Sequence, residues 1–331
     1  MTRAFSYLLL AATACAQSLF PNGLARFAGA DLSNYTGDGG PAYYAAFSLP
    51  RAVTRDCAGN PYVAESSRIR KIDANGIVST LVSNVNAWVI AIGPGGNVYF
   101  SDLRTIQRLG SGGTPTTVAG NGTTLYNGEG VLALSAGISP AGLAIDASGQ
   151  VYFSDAHVRV RVLRLDGKIY TVAGTGQAGM SGENGPASQA QLSNPTGLAF
   201  DGTGSLYIAD STRLVKIDRN GLLTRYAGTG LANGPSPEQG MPTIQSSLSV
   251  SAVAVDAAGD VFIAGGPVLF KITPDGILHA FAGSLDGRHP HPCGNALQSQ
   301  VYSTSVAADA AGNAYFLTSG QSRMWSAACI P

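Results

Sequence analysis

Short apolar segments separated by turn-forming residues repeat along most of the chain. In residues 194–228, NPTGLAFDGTGSLYIADSTRLVKIDRNGLLTRYAG, four such segments alternate with turns rich in Gly, Asp and Asn. β-Branched and aromatic residues dominate the segments, and the last turn contains an Asn-Gly pair typical of a tight hairpin. The pattern predicts four short antiparallel strands at 196–200, 206–209, 213–217 and 222–227.

The four-strand unit occurs six times, so the chain is predicted to be a repeat array. The third copy, residues 139–174, reads SPAGLAIDASGQVYFSDAHVRVRVLRLDGKIYTVAG. The sixth copy ends at Pro331 after three strands, and residues 23–29, GLARFAG, match the missing fourth strand. We therefore predict an all-β fold, a six-bladed β-propeller in which the N-terminal strand completes the last blade and closes the ring. The predicted cores of blades 1 to 6 are 49–83, 86–120, 138–174, 192–228, 248–283, and 301–331 together with 23–29.

The N-terminus has the features of a secretory signal peptide, residues 1–16. Arg3 precedes a short apolar stretch at 7–12, and Ala14-Cys15-Ala16 has the small residues of a cleavage site. Cleavage after Ala16 and lipidation of Cys15 are both left open. We expect a secreted, periplasmic or extracellular protein whose residues 17–331 form a single propeller. No later apolar stretch is long enough to predict a transmembrane helix.

Composition and charge exclude some classes of function. Charged residues make up 12% of the 331 residues, about half the usual share of roughly 25%. Lys plus Arg and Asp plus Glu balance at 20 each. The chain therefore lacks the basic surface expected of a nucleic-acid-binding protein or of a protein held on an anionic membrane. We expect no nucleic-acid partner and a monomer.

The repeated pattern PxGLAxDxxGxLYxAD…RxxKID…G…AG resembles the NHL-repeat family, and so do the connectors GDGGPA, GENGPASQAQLSNP and AGTG. The resemblance covers about residues 23–331. The connectors also resemble those of many secreted bacterial NHL proteins. It implies the six-bladed fold. It does not imply one function, because propellers include enzymes, adhesion modules and scaffolds.

The connectors between blades are the predicted binding surface, because long loops on a rigid scaffold commonly carry function. In a propeller they lie on the top face, together with the turns between the second and third strands. The connectors 30–49, 121–139, 175–194, 229–248 and 284–302 are long, whereas the junction at 84–87 is short and should leave a groove. The rim carries aromatic residues that are candidate ligand contacts or packing residues: Tyr35, Tyr43, Tyr44, Phe47, Trp88 and Tyr126. Blade 3 departs from the other copies at His157 and Arg159. The candidate binding residues are therefore Tyr35, Trp88, Tyr126, His157 and Arg159.

Recurrent acids are interpreted as structural, because a residue present in most copies more often maintains the repeat than performs chemistry. The strand-end acids Glu65, Asp102, Asp155 and Asp210 are predicted to accept hydrogen bonds in turns. Asp38, Glu183 and Glu238 occupy equivalent places in three connectors and are predicted to accept backbone N–H groups there. A calcium loop would need more oxygen ligands at close spacing than each connector offers.

Evidence for a metal or cofactor in the sequence is weak. His289, His291 and Cys293 in the last connector are the best local candidates for metal ligands, although a catalytic zinc needs three converging side chains. We expect no cofactor, with a bound Ca²⁺ or Zn²⁺ as the open alternative. Cys57 and Cys329 both fall on the bottom face of neighbouring blades, so a disulfide between them is favoured over any pairing with Cys293.

These features favour a secreted, non-enzymatic binding or scaffold propeller that recognises a protein or a carbohydrate through its top-face loops. The alternative is a metal-dependent propeller enzyme, similar to a lyase or a lactonase, with a site at the central channel. The strands predicted to line that channel are mostly apolar, apart from Arg51, Thr54, Arg55 and the aspartates at their ends, which favours the binding protein.

Overall fold

The computed structural model describes residues 23–30, 36–110, 112–234, 236–237, 240–283, 293–295, 301–318 and 324–327. Within them the chain forms six antiparallel sheets, each built on four strands that pair in order from the inside to the outside of the ring, and the six sheets are the blades of a propeller. No helix in this part of the chain has the length and apolar character needed to cross a membrane. The predicted all-β, six-bladed fold is confirmed.

Each blade begins with an inner strand that lines the channel and ends with an outer strand. The inner strands are β2 (Ala52–Arg55), β6 (Val89–Ile92), β11 (Pro140–Ile145), β16 (Pro195–Phe200), β20 (Ala252–Val255) and β25 (Ser303–Ala308). The second strands are β3 (Pro61–Ala64), β7 (Val98–Ser101), β12 (Val151–Asp155), β17 (Leu206–Asp210), β21 (Val261–Ala264) and β26 (Ala314–Thr318).

The outer half of each blade has the same regularity. The third strands are β4 (Arg68–Ile72), β8 (Ile106–Leu109), β13 (Arg159–Leu163), β18 (Arg213–Ile217), β22 (Val268–Ile272) and β27 (Met324–Ala327). The fourth strands are β5 (Val78–Ser83), β9 (Pro115–Ala119), β14 (Lys168–Ala173), β19 (Leu222–Ala227), β23 (Leu278–Gly283) and, in blade 6, β1 (Gly23–Ala28). Turns between third and fourth strands end in a glycine with positive φ, such as Gly221 at +79°, a conformation that favours glycine.

The N-terminal strand closes the ring as predicted. β1 pairs antiparallel with β27, with Arg26 opposite Trp325. On the bottom face, Arg55 of blade 1 forms an ion pair with Asp309 of blade 6, with Nη1 and Oδ2 3.1 Å apart. The third strand of blade 6, β27, is thereby paired on both sides, with β26 and with β1, and has no open sheet edge.

The hydrophobic core is divided among the interfaces between blades. Six clusters of buried residues each join two neighbouring blades, and aromatic residues on second strands such as Phe100, Phe153 and Phe316 are completely buried. Each blade buries one face against its predecessor and the other against its successor. The ring is thus held by burial of apolar area that no blade could achieve alone.

The connectors extend over the outer edges of the blades, whereas the sequence was interpreted as placing them on the top face. Parts of them add a fifth strand or a bridge to the following blade: Pro41 to Ile77 in blade 1, β10 (Val131–Leu132) to β14, β15 (Gly185–Pro186) to β19, Pro242 to Ile277 in blade 5, and β24 (Cys293–Asn295) to β1. Four of these connectors continue into one turn of 3₁₀ helix: Ala42–Tyr44, Ala133–Ser135, Ala187–Gln189 and Thr243–Gln245. A further 3₁₀ turn, Pro94–Gly96, joins β6 to β7. Among the described residues, β9 of blade 2 pairs with β8 alone.

Candidate functional site

The six inner strands surround a central cavity of about 320 Å³. Ala, Val, Ile and Leu side chains form most of its wall, as the sequence predicted. Arg51 and Trp88 lie at its top end, where the inner strands begin, and Arg55 lies at the opposite end. None of the described residues that line the cavity is Asp, Glu, His or Cys. The charged side chains of the channel, Arg51 and Arg55, therefore lie at its two ends.

Arg51 and Trp88 form a stacked pair at this mouth. The guanidinium carbon of Arg51 lies 3.8 Å from the centroid of the Trp88 ring, and its Nη1 donates a 2.7 Å hydrogen bond to Oδ1 of Asn86. Asn86 and Trp88 are neighbours because the junction at 84–87 passes directly into the second blade. Trp88 remains 41% exposed. The pair therefore presents a cation and an aromatic surface to any molecule that enters the channel.

The charge of Arg51 persists in this position. Burial lowers the pKa of Arg51, but a guanidinium remains protonated at all physiological pH values. Arg51 stands out in the sequence as a polar residue on a mostly apolar inner strand, but it was not predicted to belong to the binding site. Its contact with Trp88 depends on the arrangement of two blades, which the repeat pattern does not specify.

A second cluster joins three of the predicted binding residues in blade 3. The Tyr126 ring centroid lies 6.1 Å from that of His157 and 4.2 Å from the guanidinium carbon of Arg159. Arg159 also donates hydrogen bonds to the carbonyl oxygens of His157 and Thr175, at 3.1 and 2.8 Å. The cluster fixes the connector from blade 2 against the turn that begins β13. Whether it binds a ligand stays a prediction.

His157 is oriented by a buried carboxylate. Its Nδ1 lies 2.6 Å from Oδ1 of Asp155, whose side chain is fully buried, whereas the His157 side chain is 26% exposed. Because a carboxylate accepts hydrogen bonds, Nδ1 carries the hydrogen, and Nε2 of the neutral ring is left as an acceptor. The arrangement can accept a hydrogen bond from a ligand hydroxyl.

Three arginines of the third strands, Arg70, Arg161 and Arg213, are almost completely buried, and none of them was predicted to be functional. Each contacts the strand-end acid of its own blade and the connector that precedes that blade. Alternation of polar and apolar residues predicts that the polar positions of a strand face solvent, so these arginines had no distinguishing signal in the sequence. Their role is to hold the connectors in place.

The structure modifies the predicted roles of the acids. Strand-end acids do accept backbone N–H groups, such as Ser193 and Asn194 to Asp210 at 2.7 Å each, which confirms that part of the prediction. Their pairing with buried arginines was not predicted. Asp38 and Glu183, predicted to accept backbone N–H groups, bind guanidinium groups, with Oδ1 of Asp38 2.9 Å from Nη2 of Arg70. Glu238 lies outside the described residues.

Other predicted residues have mixed outcomes. Phe47 is buried, which supports its packing role, whereas Tyr43 and Tyr44 are exposed on the outer edge of the ring. Tyr35, His289, His291 and Cys329 lie outside the described residues, and only the backbone of Cys293 is described. Cys57 is exposed, and its disulfide with Cys329 stays a prediction. The described part of the chain contains no group of three His, Cys, Asp or Glu side chains arranged to hold a metal ion.

The fold and the repeats define the class of protein: the chain is a six-bladed β-propeller of NHL-type repeats. The family model of the Teneurin NHL domain matches residues 29–89 and 175–253. Teneurin-1 of Homo sapiens is 30% identical over 181 residues, which cover 48% of this chain and 6% of Teneurin-1. The chain thus spans a small fraction of the length of the curated relatives it matches.

Solved structures with the same fold include proteins of different function. An auxiliary nutrient binding protein from Bacteroides thetaiotaomicron has a TM-score of 0.68 at 14% identity, covering 92% of this chain and 76% of its own. A gluconolactonase from Xanthomonas campestris has a TM-score of 0.56 at 16% identity, covering 86% of this chain and 87% of its own. At these identities the likeness shows the fold alone.

Proposed function

We propose that this chain is a secreted, non-enzymatic binding propeller that captures a carbohydrate at the top mouth of its central channel. The observation that carries the proposal is the Arg51–Trp88 pair at the rim of the 320 Å³ cavity. An exposed indole offers a flat apolar surface, and the remaining guanidinium N–H groups can donate hydrogen bonds to ring oxygens, hydroxyls or a carboxylate. The same fold occurs in a nutrient binding protein, which is compatible with a binding function.

Ligand size is consistent with this site. A cavity of about 320 Å³ is at the lower end of the range typical of small-molecule pockets, roughly 300–1,000 Å³. The apolar wall below the mouth offers few hydrogen-bonding side chains. We therefore expect one or two sugar units to contact the pair, with the rest of the ligand outside the mouth of the channel.

The experiment is a binding assay on an array of neutral and acidic oligosaccharides with the wild type and two variants. Trp88→Ala should reduce capture at least about tenfold, because a central aromatic contact commonly contributes 2 kcal/mol or more. Tyr44→Ala removes an aromatic residue that is 66% exposed on the outer edge and should leave capture unchanged. Both variants should melt within a few degrees of the wild type.

Other outcomes would redirect the proposal. Unchanged capture by the Trp88→Ala variant would show that the channel mouth is not the binding site. Retention of a protein from the growth medium, lost on the same substitution, would identify a protein ligand instead of a carbohydrate. Stoichiometric zinc or calcium in the purified protein, together with turnover of a bound lactone or glycan, would favour the metal-dependent enzyme.

A further inference from the structure

The outer edge of blade 2 differs from the other outer edges in the described residues, because no connector segment covers it. Its fourth strand, β9, pairs with β8 on one side, and no hydrogen bond joins its other side to the described chain. Thr116 and Thr117 are exposed. The backbone groups that point outward are the carbonyls of Gly113 and Pro115 and the N–H of Thr117, by analogy with the equivalent residues of blade 3.

Blade 3 shows what covers such an edge. Glu129 of the preceding connector accepts hydrogen bonds from the backbone N–H and the hydroxyl of Thr171, at 2.5 and 2.6 Å. The next residue, Gly130, donates its N–H to Ile169 O, and Ala133 donates its N–H to Gly167 O, both at 2.9 Å. An acid at position i thus precedes N–H donors at i+1 and i+4.

The same spacing recurs in two other blades. In blade 1 the acid is Asp38, and the donors are Gly39 to Val78 O at 2.9 Å and Ala42 to Gly76 O at 2.8 Å. In blade 4 the acid is Glu183, and the donors are Asn184 to Leu223 O and Ala187 to Gly221 O, both at 2.8 Å. Three connectors therefore share an acid at i and an alanine at i+4.

The fourth strand of blade 2 and the turn before it have a threonine and two carbonyl groups equivalent to those that contact the connector in blade 3. Thr117 lies opposite Gln107 in the register of β8 and β9, as Thr171 lies opposite Arg161 in blade 3. Thr117 is thus the counterpart of the threonine that holds Glu129. Its N–H and hydroxyl make no hydrogen bond in the described structure. The two carbonyl acceptors, Pro115 and Gly113, correspond to Ile169 and Gly167.

We propose that the outer edge of blade 2 binds an extended acidic segment of a partner protein as a fifth strand. The partner's carboxylate accepts hydrogen bonds from the N–H and the hydroxyl of Thr117. The N–H one residue after the acid donates to the carbonyl of Pro115, and the N–H four residues after it donates to the carbonyl of Gly113. The fitting sequence is acid, small residue, two further residues, then alanine. This is strand addition, in which main-chain hydrogen bonds give affinity and one side chain gives selectivity.

Pro115 sets the strength and the selectivity of this site. In blade 1 the equivalent residue, Val78, donates its N–H to Gly40 O at 3.0 Å, and a proline has no such donor. The edge therefore forms one hydrogen bond fewer than a covered blade and resists indiscriminate strand pairing. Pairing of two β9 edges is disfavoured for the same reason, which leaves a partner that brings its own carboxylate.

The test uses a capped, fluorescent octapeptide with the sequence of residues 182–189, GENGPASQ, titrated with the whole protein. We expect weak, saturable binding. Replacing the peptide's glutamate by glutamine should weaken binding about tenfold, because a hydrogen bond to a charged group contributes more than one to a neutral group. Thr117→Val should produce a similar loss, whereas the matched control Thr116→Val should not.

Amide hydrogen exchange supplies a second measurement. The Thr117 amide should exchange rapidly in the free protein and become protected by the peptide, while the Thr171 amide is protected in both states. Absence of saturable binding, or equal binding by the Thr117→Val variant, would overturn the proposal. Protection of Thr117 that grows with protein concentration without peptide would show that a second copy of the chain is the occupant, and would overturn it as well.

Discussion

Blades 1 and 4 each hold their connector through a buried arginine, a strand-end acid and a connector acid. The strand-end acids differ by one methylene, and this changes their distance from the arginine. In blade 4, Arg213 binds Oδ2 of Asp210 through Nε and Nη2, each at 2.9 Å, and also binds Glu183. In blade 1 the strand-end acid is Glu65, one methylene longer. Its Oε1 lies 3.9 Å from Nε of Arg70, beyond hydrogen-bond distance.

The longer side chain leaves a buried oxygen without a donor. Oε2 of Glu65 accepts the N–H of Ser48 at 2.6 Å, but Oε1 has no hydrogen-bond partner among the described residues. Burial raises the pKa of Glu65 to about 7, against the opposing effects of Ser48 and Arg70. Side-chain length therefore decides whether the strand-end acid forms a close ion pair with the arginine or keeps a buried oxygen beyond hydrogen-bond distance from it.

The largest effect is expected from removing the arginine of blade 4. Arg213→Met should lower the free energy of unfolding by about 3–5 kcal/mol, because Asp210 would remain as a buried charge without its partner. Urea unfolding at pH 7 measures the loss. Arg219→Met, in an exposed turn, is the matched control and should change stability by less than about 0.5 kcal/mol.

The same substitution in blade 1 sharpens the comparison. Arg70→Met should cost less than Arg213→Met at pH 6, because Glu65 can take up a proton when its partner is removed. Equal losses for the two variants at pH 6 would contradict the difference drawn between these blades.

The next largest effect is the pH dependence of the free energy of unfolding that Glu65 produces. The unfolded chain has the ordinary glutamate pKa of 4.5, whereas the folded pKa of Glu65 is about 7. Between these values the folded state binds more protons, so stability falls as pH rises from 4.5 through 7. Glu65→Gln should remove this slope and add at most about 3 kcal/mol of stability at pH 8.

Urea unfolding from pH 5 to pH 8 measures this slope. Asp210→Asn is the contrasting variant, since it should lower stability at pH 7 by breaking its bonds to Arg213. A Glu65→Gln variant that keeps the wild-type slope would show that another group is responsible.

The smallest effect extends the comparison to the outer edges of blades 2 and 3. Thr171→Val removes one hydrogen bond to Glu129 and should lower the free energy of unfolding by about 1–2 kcal/mol. Thr117→Val removes a hydroxyl that has no hydrogen-bond partner among the described residues and should change the free energy of unfolding by less than about 0.5 kcal/mol. Thermal melts of the two variants suffice. Equal losses would mean that the edge of blade 2 is covered in the isolated protein.

Much of the fold was predictable because it depends on local patterns. The predicted strands at 206–209, 213–217 and 222–227 correspond to Leu206–Asp210, Arg213–Ile217 and Leu222–Ala227 in the structure. Turn residues and period-two alternation act over a few positions, and six copies of them reinforce one another. The closing strand was found for the same reason, since its sequence matched a repeat with a missing fourth strand.

The candidate site was less predictable. The sequence identified Trp88, Tyr126, His157 and Arg159 as departures from the repeat, and three of these four lie together in blade 3. It did not identify the contact between Arg51 and Trp88, because these residues begin the inner strands of different blades. Differences between the copies identify candidate residues, but they do not show which of these residues contact one another in the folded protein.

The number of blades, their strand order, the closing strand and the apolar channel wall could all be predicted, because each follows from residue types repeated at a fixed period. The tertiary structure decided which connector covers which edge, and it paired Arg70 with Asp38 and Arg213 with Glu183. It also decided that Glu65 differs from Asp210, since that difference depends on an oxygen 3.9 Å from a guanidinium instead of 2.9 Å. Distances of this kind arise only after distant segments have packed, and no local pattern encodes them.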